Sequence, residues 1–361
     1  MSTALTYNTK SSAVVLRCQS CGGERLQSVL FLGYLPPVNK MREVGERPRE
    51  EPAFPAELLF CEDCALAQLG LVVDPTILFP PEYPYTSSTT KILRENFAEL
   101  YSEASGLVPL SPEDLIVDIG SNDGNLLSNF SGKHRVLGVT PEDIGKIAIA
   151  RGIPTLQSYF GTDAVDLILR EHSQARIITA TNVFAHMEDI HAVIENILRL
   201  LASGGVFISE SHYLLSLVET LQYDTIYHEH LRYYSLHSLS HLLEAHGLEV
   251  FHARRIPTHG GSVRVYAARK GERNVEASVR GLLEEEAKLV LKAEQLRHFA
   301  SRVVLAKMQL YPLLESIKKS GGRIYGVGAP SRASTLIHYV GLDEGIIDKV
   351  MEIGGSHKIG K

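Results

Sequence analysis

The stretch that most constrains the fold runs from Leu115 to Gly124 and reads Leu-Ile-Val-Asp-Ile-Gly-Ser-Asn-Asp-Gly. A short apolar run ends in an acid, and a turn with Gly120 and Gly124 follows it. Such a run is typical of a buried parallel strand, and glycine permits a positive φ and a close approach of a ligand. We therefore predict a βα unit with Asp118 at the strand's carboxyl end, where open α/β sheets bind ligands.

The spacing of these glycines restricts the cofactor. No Lys follows them, which excludes a P-loop, and the G-x-G-x-x-G of dinucleotide sites is also absent. The pattern acid-x-Gly-x-x-x-Gly suits a cofactor without a pyrophosphate, such as S-adenosylmethionine, with Asp118 holding a cationic or amino group. A βα turn of some other doubly wound enzyme is the alternative.

Strand-like and helix-like runs alternate after this unit, which predicts βαβ units and a parallel sheet. The predicted strands are 115–119, 135–139, 154–157, 176–181 and 204–211, and the predicted helices are 124–130, 144–152, 161–172 and 188–202. Two further strands, 248–256 and 262–268, are joined by a Pro- and Gly-containing turn. This hairpin puts one antiparallel strand into the sheet, as in class I methyltransferases.

All four cysteines fall near the N-terminus, as Cys18-x-x-Cys21 and Cys61-x-x-Cys64. Two such knuckles are typical of a zinc site. Four thiolates complete the coordination sphere, so the predicted metal is a structural zinc rather than a catalytic one. Two disulfides are the alternative, and a reducing compartment disfavours them.

Composition narrows the function classes. The chain has 361 residues, enough for two or three domains, and a net charge of -6, which gives no reason to expect nucleic acid as a partner. No apolar run is as long as a membrane span, and the N-terminus lacks the pattern of a signal peptide. We expect a cytoplasmic protein that does not bind membranes; its oligomeric state stays open.

The C-terminal third contains two recognisable patterns. Residues 275–318 have the apolar spacing of one long helix, which Pro312 should kink or interrupt. Residues 322–334 then read as a strand, a small-residue turn and the start of a helix at Ser331 and Arg332. A helix N-terminus with an Arg can bind phosphate.

The densest group of proton-transferring side chains lies between Gln222 and Tyr234. Tyr227, Glu229 and His230 follow one another closely there, with a second histidine between the first two. An imidazole is the readiest base near neutral pH, and a neighbouring carboxylate can orient it. A metal site built on the two histidines and a polar surface loop are the alternatives.

The Cys knuckles, the Asp-Ile-Gly-Ser-Asn-Asp-Gly turn, the Tyr-His-Glu-His-Leu-x-Tyr-Tyr-Ser run and the Gly-Val-Gly-Ala-Pro turn occur in this order. Together they resemble the sugar C-methyltransferase family of deoxysugar biosynthesis, over nearly the whole chain. The resemblance implies a class I methyltransferase Rossmann-like α/β fold with an N-terminal zinc-binding domain and a partial C-terminal α/β domain. The implied ranges are 1–80 for the zinc-binding domain, 81–270 for the S-adenosylmethionine domain, 271–320 for a connecting helix and 321–361 for the incomplete nucleotide-sugar-binding domain.

The resemblance also implies roles for individual residues. The substrate would be a nucleotide-activated, dTDP-linked 4-keto deoxysugar, methylated on carbon through an enolate. His230 would be the base, and Glu229 and Tyr227 would orient it or stabilise the enolate oxygen. Tyr85 and His186 would line the sugar pocket. The cofactor would meet Gly120, Asn122, Gly124 and Asn182 beside Asp118, and Arg332 would face the nucleotide phosphates.

Two departures from the family pattern affect these expectations. Thr140 stands where relatives carry an acid for the adenosine ribose, so cofactor binding would be weaker unless Glu142 substitutes for it. The chain is also some tens of residues shorter than relatives. A saccharide O- or N-methyltransferase and a non-catalytic sugar-nucleotide-binding protein are the alternative functions.

Overall fold

The N-terminal part of the protein is a small antiparallel sheet. The computed structural model describes residues 12–47, 49–78, 87–354, 356 and 358–361. The first elements are β1 (Ala13–Val14), β2 (Leu26–Leu35), β3 (Phe54–Cys61), β4 (Ala67–Leu69), β5 (Leu71–Val72) and α1 (Pro75–Leu78). β3 lies between β2 and β4 and pairs antiparallel with both. Its buried Leu58 and Phe60 belong to the main hydrophobic core, so this sheet is packed onto the rest of the molecule.

The central part alternates strands and helices as predicted. Its elements are α2 (Lys91–Leu107), β6 (Leu115–Ile119), β7 (Arg135–Val139), α3 (Gly145–Ala150), β8 (Thr155–Leu156), α4 (Thr162–Glu171), β9 (Ala175–Thr181), α5 (Ile190–Leu200), β10 (Leu201–His212), α6 (Leu214–Glu219), β11 (Arg232–Tyr233), α7 (Leu236–Glu244), β12 (Leu248–Ile256) and β13 (Ser262–Arg269). Single 3-10 turns occupy Ser87–Thr89, Leu127–Asn129, Tyr223–Thr225 and Thr258–Gly260. The predicted helix 124–130 is therefore only a short 3-10 turn.

Seven strands form the central sheet in the order β12-β13-β10-β9-β6-β7-β8. β6 to β10 are parallel, and β13 runs antiparallel to both β10 and β12. Every residue of β6 is buried, as expected for a central strand covered on both faces. The predicted mixed sheet of a class I methyltransferase is confirmed, and its parallel strands end at one common edge.

The helices on this sheet follow from amphipathic sequence. In α5 the buried side chains recur at helical spacing and include Val193, Ile194 and Ile197. Asp189 caps the helix by accepting a hydrogen bond from the backbone N–H of Ala192 at 3.1 Å. Local capping and an apolar stripe therefore fix where α5 begins and which face it turns to the sheet.

β11 joins the two sheets, because it leaves the central part of the chain and pairs antiparallel with β4 of the N-terminal sheet. Arg232 on β11 is buried and donates to the backbone oxygens of Met187 at 2.6 Å and Glu188 at 2.7 Å. The segment from Tyr223 to His230 is thereby held between the N-terminal sheet and the carboxyl edge of the central sheet.

The last elements are α8 (Ala277–Leu289), α9 (Ala293–Lys319), β14 (Tyr325–Val327), α10 (Arg332–Val340) and β15 (Lys349–Met351). The predicted single helix 275–318 is two helices, because the chain breaks at 290–292, where the backbone N–H of Lys292 donates to Oε1 of Gln295 at 2.8 Å at the start of α9. Pro312 does not interrupt α9, which continues through it, and the alternative of a kink there stays a prediction. No helix of the described ranges has the length and apolar character needed to span a membrane.

The C-terminal unit is small. β14 and β15 pair parallel, and Val327 is 82% exposed and Val350 49% exposed. Leu336 and Tyr339 of α10, in contrast, pack against the main core. This end of the chain therefore depends on the rest of the molecule for its packing, as a unit of one helix and two strands must.

Candidate active site

The four cysteines converge on one point beside the N-terminal sheet. Their sulfurs all lie within 4.8 Å of one another. The sulfurs of Cys18 and Cys64 are 3.5 Å apart and those of Cys21 and Cys61 are 3.6 Å apart. Tetrahedral zinc with bonds of about 2.3 Å needs sulfurs roughly 3.8 Å apart, whereas a disulfide needs about 2 Å. The geometry fits four thiolate ligands around a structural zinc and not the alternative of two disulfides.

The glycine-containing turn after β6 has the backbone that its sequence predicts. Gly120, Asn122 and Gly124 all have positive φ, at 73°, 51° and 78°. A Cβ on Gly120 would lie 2.4 Å from Cγ1 of Val183, so no other residue fits there. Asn182, at the end of the neighbouring β9, also has a positive φ of 58°. The turn therefore brings backbone and small side chains to the ligand edge, which fits a cofactor bound along it.

Asp118 lies near the carboxyl end of β6, as expected, but its side chain is turned into the sheet. Its side chain is only 2% exposed, and it accepts a hydrogen bond from Oγ1 of Thr179 at 2.6 Å. Burial raises the pKa of Asp118 to about 7, with a further contribution from the carboxylate of Glu210. Asp118 thus links β6 to β9 inside the sheet, and direct contact with a cofactor stays a prediction that this geometry disfavours.

The next two residues of the turn hold the segment that precedes α2. Asn122 accepts a hydrogen bond from the backbone N–H of Ser87 at 2.9 Å. Asp123, which the sequence analysis did not single out, accepts from Oγ of Ser87 at 2.6 Å and from Arg151 at 3.0 Å. The predicted pocket residue Tyr85 lies outside the described residues, two positions before this anchor.

Thr140 stands where the family resemblance predicts an acidic residue for the adenosine ribose, and it forms a hydrogen-bonded pair with Glu142. Thr140, buried after the end of β7, donates its hydroxyl to Oε2 of Glu142 at 2.5 Å. The carboxylate of Glu142 is therefore held at the strand end, within the same edge as Gly120.

His230 is held in one orientation by the backbone. Its Nδ1 lies 2.8 Å from the carbonyl oxygen of Thr225. Because a carbonyl only accepts, Nδ1 carries the hydrogen and Nε2 keeps its lone pair. Burial lowers the pKa of His230 to about 4, although the Thr225 carbonyl opposes this shift. The imidazole is therefore neutral near pH 7, the form that a general base requires.

Other aromatic rings surround this imidazole. The ring centroid of His230 is 4.1 Å from that of Tyr227 and 5.0 Å from that of His186. His212, which the sequence analysis missed, stacks at 6.4 Å from it and directly ends β10. Burial lowers the pKa of His186 and of His212 to about 3, with a smaller contribution from His230. The structure therefore brings neutral imidazoles together at the ligand edge.

Oε1 of Glu229 accepts a hydrogen bond from Nδ2 of Asn39 at 2.6 Å. The orienting role that the sequence analysis gave to Glu229 stays a prediction. The structure adds the Thr225 carbonyl, five residues earlier in the chain, as a group that orients His230. A backbone acceptor leaves no trace in a side-chain pattern, so the motif could not show it. The alternative of a histidine metal site also finds no support, since Nε2 of His228 faces the carbonyl of Pro55 at 3.2 Å.

Arg332 already has an anionic partner. Its Nε and Nη2 donate to the two oxygens of Asp224 at 2.7 and 2.6 Å. The expected partner was a nucleotide phosphate, and that role stays a prediction. Burial lowers the pKa of His230 and of His259, and the positive charge of Arg332 adds to both shifts. Arg332 therefore acts on these histidines electrostatically.

Comparison with known families agrees with this arrangement. Residues 18–79 match the family of a zinc binding domain, residues 90–253 match the methyltransferase domain family, and residues 257–361 match the C-methyltransferase C-terminal domain family.

Individual proteins are similar as well. The chain is 32% identical over 329 residues to the C-methyltransferase NovU from Streptomyces niveus, covering 90% of this chain and 78% of NovU. Among solved structures, an S-adenosylmethionine-dependent methyltransferase from Anabaena variabilis aligns with 15% identity and a TM-score of 0.40, covering 50% of this chain and 86% of that one. The magnesium protoporphyrin IX methyltransferase from Synechocystis with bound SAH aligns with 15% identity and a TM-score of 0.39, covering 49% and 83%.

Proposed function

Because the chain belongs to the family of S-adenosylmethionine-dependent C-methyltransferases that its motifs resemble, we propose that it methylates a carbon of a nucleotide-activated 4-keto deoxysugar. The nucleotide is dTDP and the reaction passes through an enolate. The observation that carries this proposal is the imidazole of His230, which is neutral and fixed by Thr225 and whose Nε2 has no hydrogen-bond partner among the described residues. Such a group is suited to take a proton from carbon beside a ketone.

The proton transfer follows from the chemistry of a ketone. Nε2 of His230 takes the hydrogen of the α-carbon, and the electron pair of the broken C–H bond moves into the enolate. The ketone oxygen gains negative charge in this step, and Tyr227, whose ring lies tilted against that of His230, is a hydroxyl donor for it. When S-adenosylmethionine is bound, it supplies the methyl group that the enolate carbon takes up. His186 and Tyr85 line the sugar pocket in this proposal.

The cofactor would be held by the edge beside these groups. Gly120, Asn122 and Gly124 present the turn, and Asn182 presents its amide from the next strand end. Glu142, fixed by Thr140, is the acceptor available for the ribose hydroxyls. The zinc, held by the four cysteines, supplies no chemistry to the reaction, because its coordination sphere is complete.

The test is incubation with labelled S-adenosylmethionine and a panel of dTDP-, CDP- and GDP-linked 4-keto sugars. We expect label on the sugar, and we expect His230→Gln to lower kcat by about 10²- to 10⁴-fold while cofactor binding, measured by calorimetry, is retained. His172→Gln, on an exposed ring at the end of α4, is the matched control.

Solvent deuterium exchange at the α-carbon separates carbon methylation from O- or N-methylation, since only the former needs an enolate. Deuterium exchange at the α-carbon that occurs in the wild type and is lost in His230→Gln supports the proposal. Full turnover in His230→Gln would overturn the role of this residue, and a methylated product that keeps all the deuterium of an α-deuterated substrate would overturn the enolate.

A further inference from the structure

The first turn of α10 reaches the His230 segment through a charged bridge. The guanidinium of Arg332 binds both oxygens of Asp224. Asp224 is the residue before Thr225, and both belong to the same 3-10 turn. The Thr225 carbonyl is the acceptor that holds Nδ1 of His230. A chain of direct contacts therefore leads from Arg332 to the imidazole.

A second bridge leaves the same helix turn. Ser331 donates its hydroxyl to Oδ1 of Asn39 at 2.8 Å, and Nδ2 of Asn39 donates to Glu229 at 2.6 Å. Glu229 is the residue before His230. Asn39 follows β2 of the N-terminal sheet, so three distant parts of the chain meet at this point. The side-chain amide of Asn39 thus connects Ser331 to Glu229 and supports the chain on the C-terminal side of Thr225.

We infer that the first turn of α10 is a positioning element for His230. Arg332 acts through Asp224 and the Thr225 carbonyl, and Ser331 acts through Asn39 and Glu229. This inference rests on the proposed function, in which His230 is the base. It assigns Arg332 a task other than contact with the nucleotide, because the Nε–Nη2 edge of its guanidinium already binds a carboxylate bidentately.

The geometry of the first bridge is suited to positioning. Two parallel N–H···O bonds fix direction as well as distance, which a single contact cannot do. The side chains of Arg332 and Asp224 are 28% and 21% exposed, so water screens this pair less than a surface pair. A displacement of about 1 Å in a catalytic group can lower the rate on the order of 10²-fold, so a bridge of this kind matters for turnover.

The remaining groups around the ring do not replace this support. His186, His212 and Tyr227 face His230 with their aromatic rings, and so does Tyr233. Rings limit where the imidazole can move, but they do not select which ring nitrogen carries the hydrogen. That selection depends on the Thr225 carbonyl.

The first test reads the ring itself. In the full-length zinc-loaded protein with nitrogen-labelled histidine, NMR shifts report which nitrogen of His230 is protonated. We expect a single Nδ1–H tautomer in the wild type and a mixture in Arg332→Met and in Asn39→Ala. The charge-reversed pair Asp224→Arg with Arg332→Asp should restore most of the single tautomer. Arg199→Met, which breaks a pair with Asp166 on the protein surface, is the matched control.

The second test reads the reaction with the panel member that the wild type methylates. We expect Arg332→Met to lower kcat by roughly 10- to 100-fold with little change in KM for the sugar nucleotide. A phosphate ligand would give the reverse, a raised KM with an unchanged kcat. Thermal melting of every variant identifies loss of folding, and the conservative Asp224→Asn, which keeps one acceptor, should lie between wild type and Arg332→Met.

An unchanged tautomer in Arg332→Met, or a change in KM alone, overturns the inference. If the wild type methylates no member of the panel, the proposed function fails, but the tautomer measurement still decides whether α10 positions the ring.

Discussion

Two sets of buried polar side chains in this protein differ in how many of their polar atoms have hydrogen-bond partners. Beneath β10, Glu210 accepts hydrogen bonds from Nε of Arg264 at 2.7 Å and from Asn96 at 2.9 Å. Arg264 also donates to Glu103 at 2.7 Å, and Tyr266 donates to the same carboxylate at 2.6 Å. These five residues form the network below the sheet.

At the carboxyl edge of the same strand the polar groups are histidines instead. His212 makes one long contact, 3.4 Å to Gln222, and its buried Nδ1 has no hydrogen-bond partner among the described residues. Within the part of the chain that the structure describes, His230 makes one hydrogen bond, through its Nδ1. The charged network is fully paired and serves stability, whereas His212 and His230 each keep a ring nitrogen without a partner in that part of the chain. Unpaired buried groups cost stability, so a fold retains them where function requires them.

The largest expected effect tests the saturated side of this comparison. Arg264→Leu leaves Glu210 and Glu103 without their shared cation inside the protein. Breaking a buried pair in this way costs about 3–5 kcal/mol, so we expect the free energy of unfolding to fall by this amount. Arg199→Leu removes an exposed pair and should cost about 0–1 kcal/mol.

Denaturant unfolding followed by circular dichroism measures both variants, with the zinc site kept loaded. A change in Arg264→Leu as small as that of the surface control would show that the network is not a stabilising element. The charged network would then not differ from the histidines by a role in stability.

How far the sequence predicts these two regions depends on how local their contacts are. The strands β6 and β7 have the predicted bounds, because burial on both faces leaves a continuous apolar run. The four cysteines converge because each knuckle places two sulfurs within four residues. The hairpin β12–β13 is also visible, since its turn chemistry lies in one short stretch.

The candidate site was predicted less completely. His230 and His186 meet as expected, but Asn39 joins them from about 190 positions away in the chain. Thr225 contributes a backbone carbonyl, which no residue type reveals. His212 directly follows the predicted strand 204–211 and is the last residue of β10, and this position was the available signal for it.

The second prediction concerns how the free energy of unfolding depends on pH, because His186 and Glu103 titrate in different pH ranges. Burial lowers the pKa of His186 to about 3, below the usual 6.5. The unfolded chain therefore binds a proton before the folded protein does, and stability is full above pH 6.5 and falls as the pH drops toward 3. Hydrogen bonds outweigh the burial of Glu103 and hold its pKa below the usual 4.5, so the contribution of Glu103 is lost only as the pH falls below that value.

Between pH 6.5 and 5 the free energy of unfolding should therefore fall, at up to about 1.4 kcal/mol per pH unit for each such histidine. His186→Gln should flatten this slope, and Arg199→Leu, which breaks the exposed pair with Asp166, should leave it unchanged. Three groups contribute with the opposite sign, and their contribution is lost as pH rises. Burial raises the pKa of Asp118 to about 7 and raises that of Glu210, and a hydrogen bond to Glu103 raises that of His252. An unchanged slope in His186→Gln would contradict the assignment.

The smallest expected effect lies at the edge of the sheet proposed to bind the cofactor, where Thr140 and Glu142 share one hydrogen bond. Thr140 donates one hydrogen bond to Glu142, and Thr140→Val keeps the shape of the side chain and removes this donor. A single hydrogen bond contributes about 0.5–1.5 kcal/mol, so we expect the Kd for S-adenosylmethionine to rise about 2- to 10-fold. Calorimetry measures this change directly.

Thr155→Val is the matched control, because its hydroxyl donates to the Ile153 carbonyl instead of to a carboxylate. If the Kd is unchanged in Thr140→Val but rises in Glu142→Gln, the carboxylate binds the cofactor without help from Thr140. If neither variant changes it, the acid that this family places at the second strand end has no substitute here. The cofactor edge would then depend on the backbone turn at Gly120 and Asn122, and positive φ would matter more for binding than any side chain after β7.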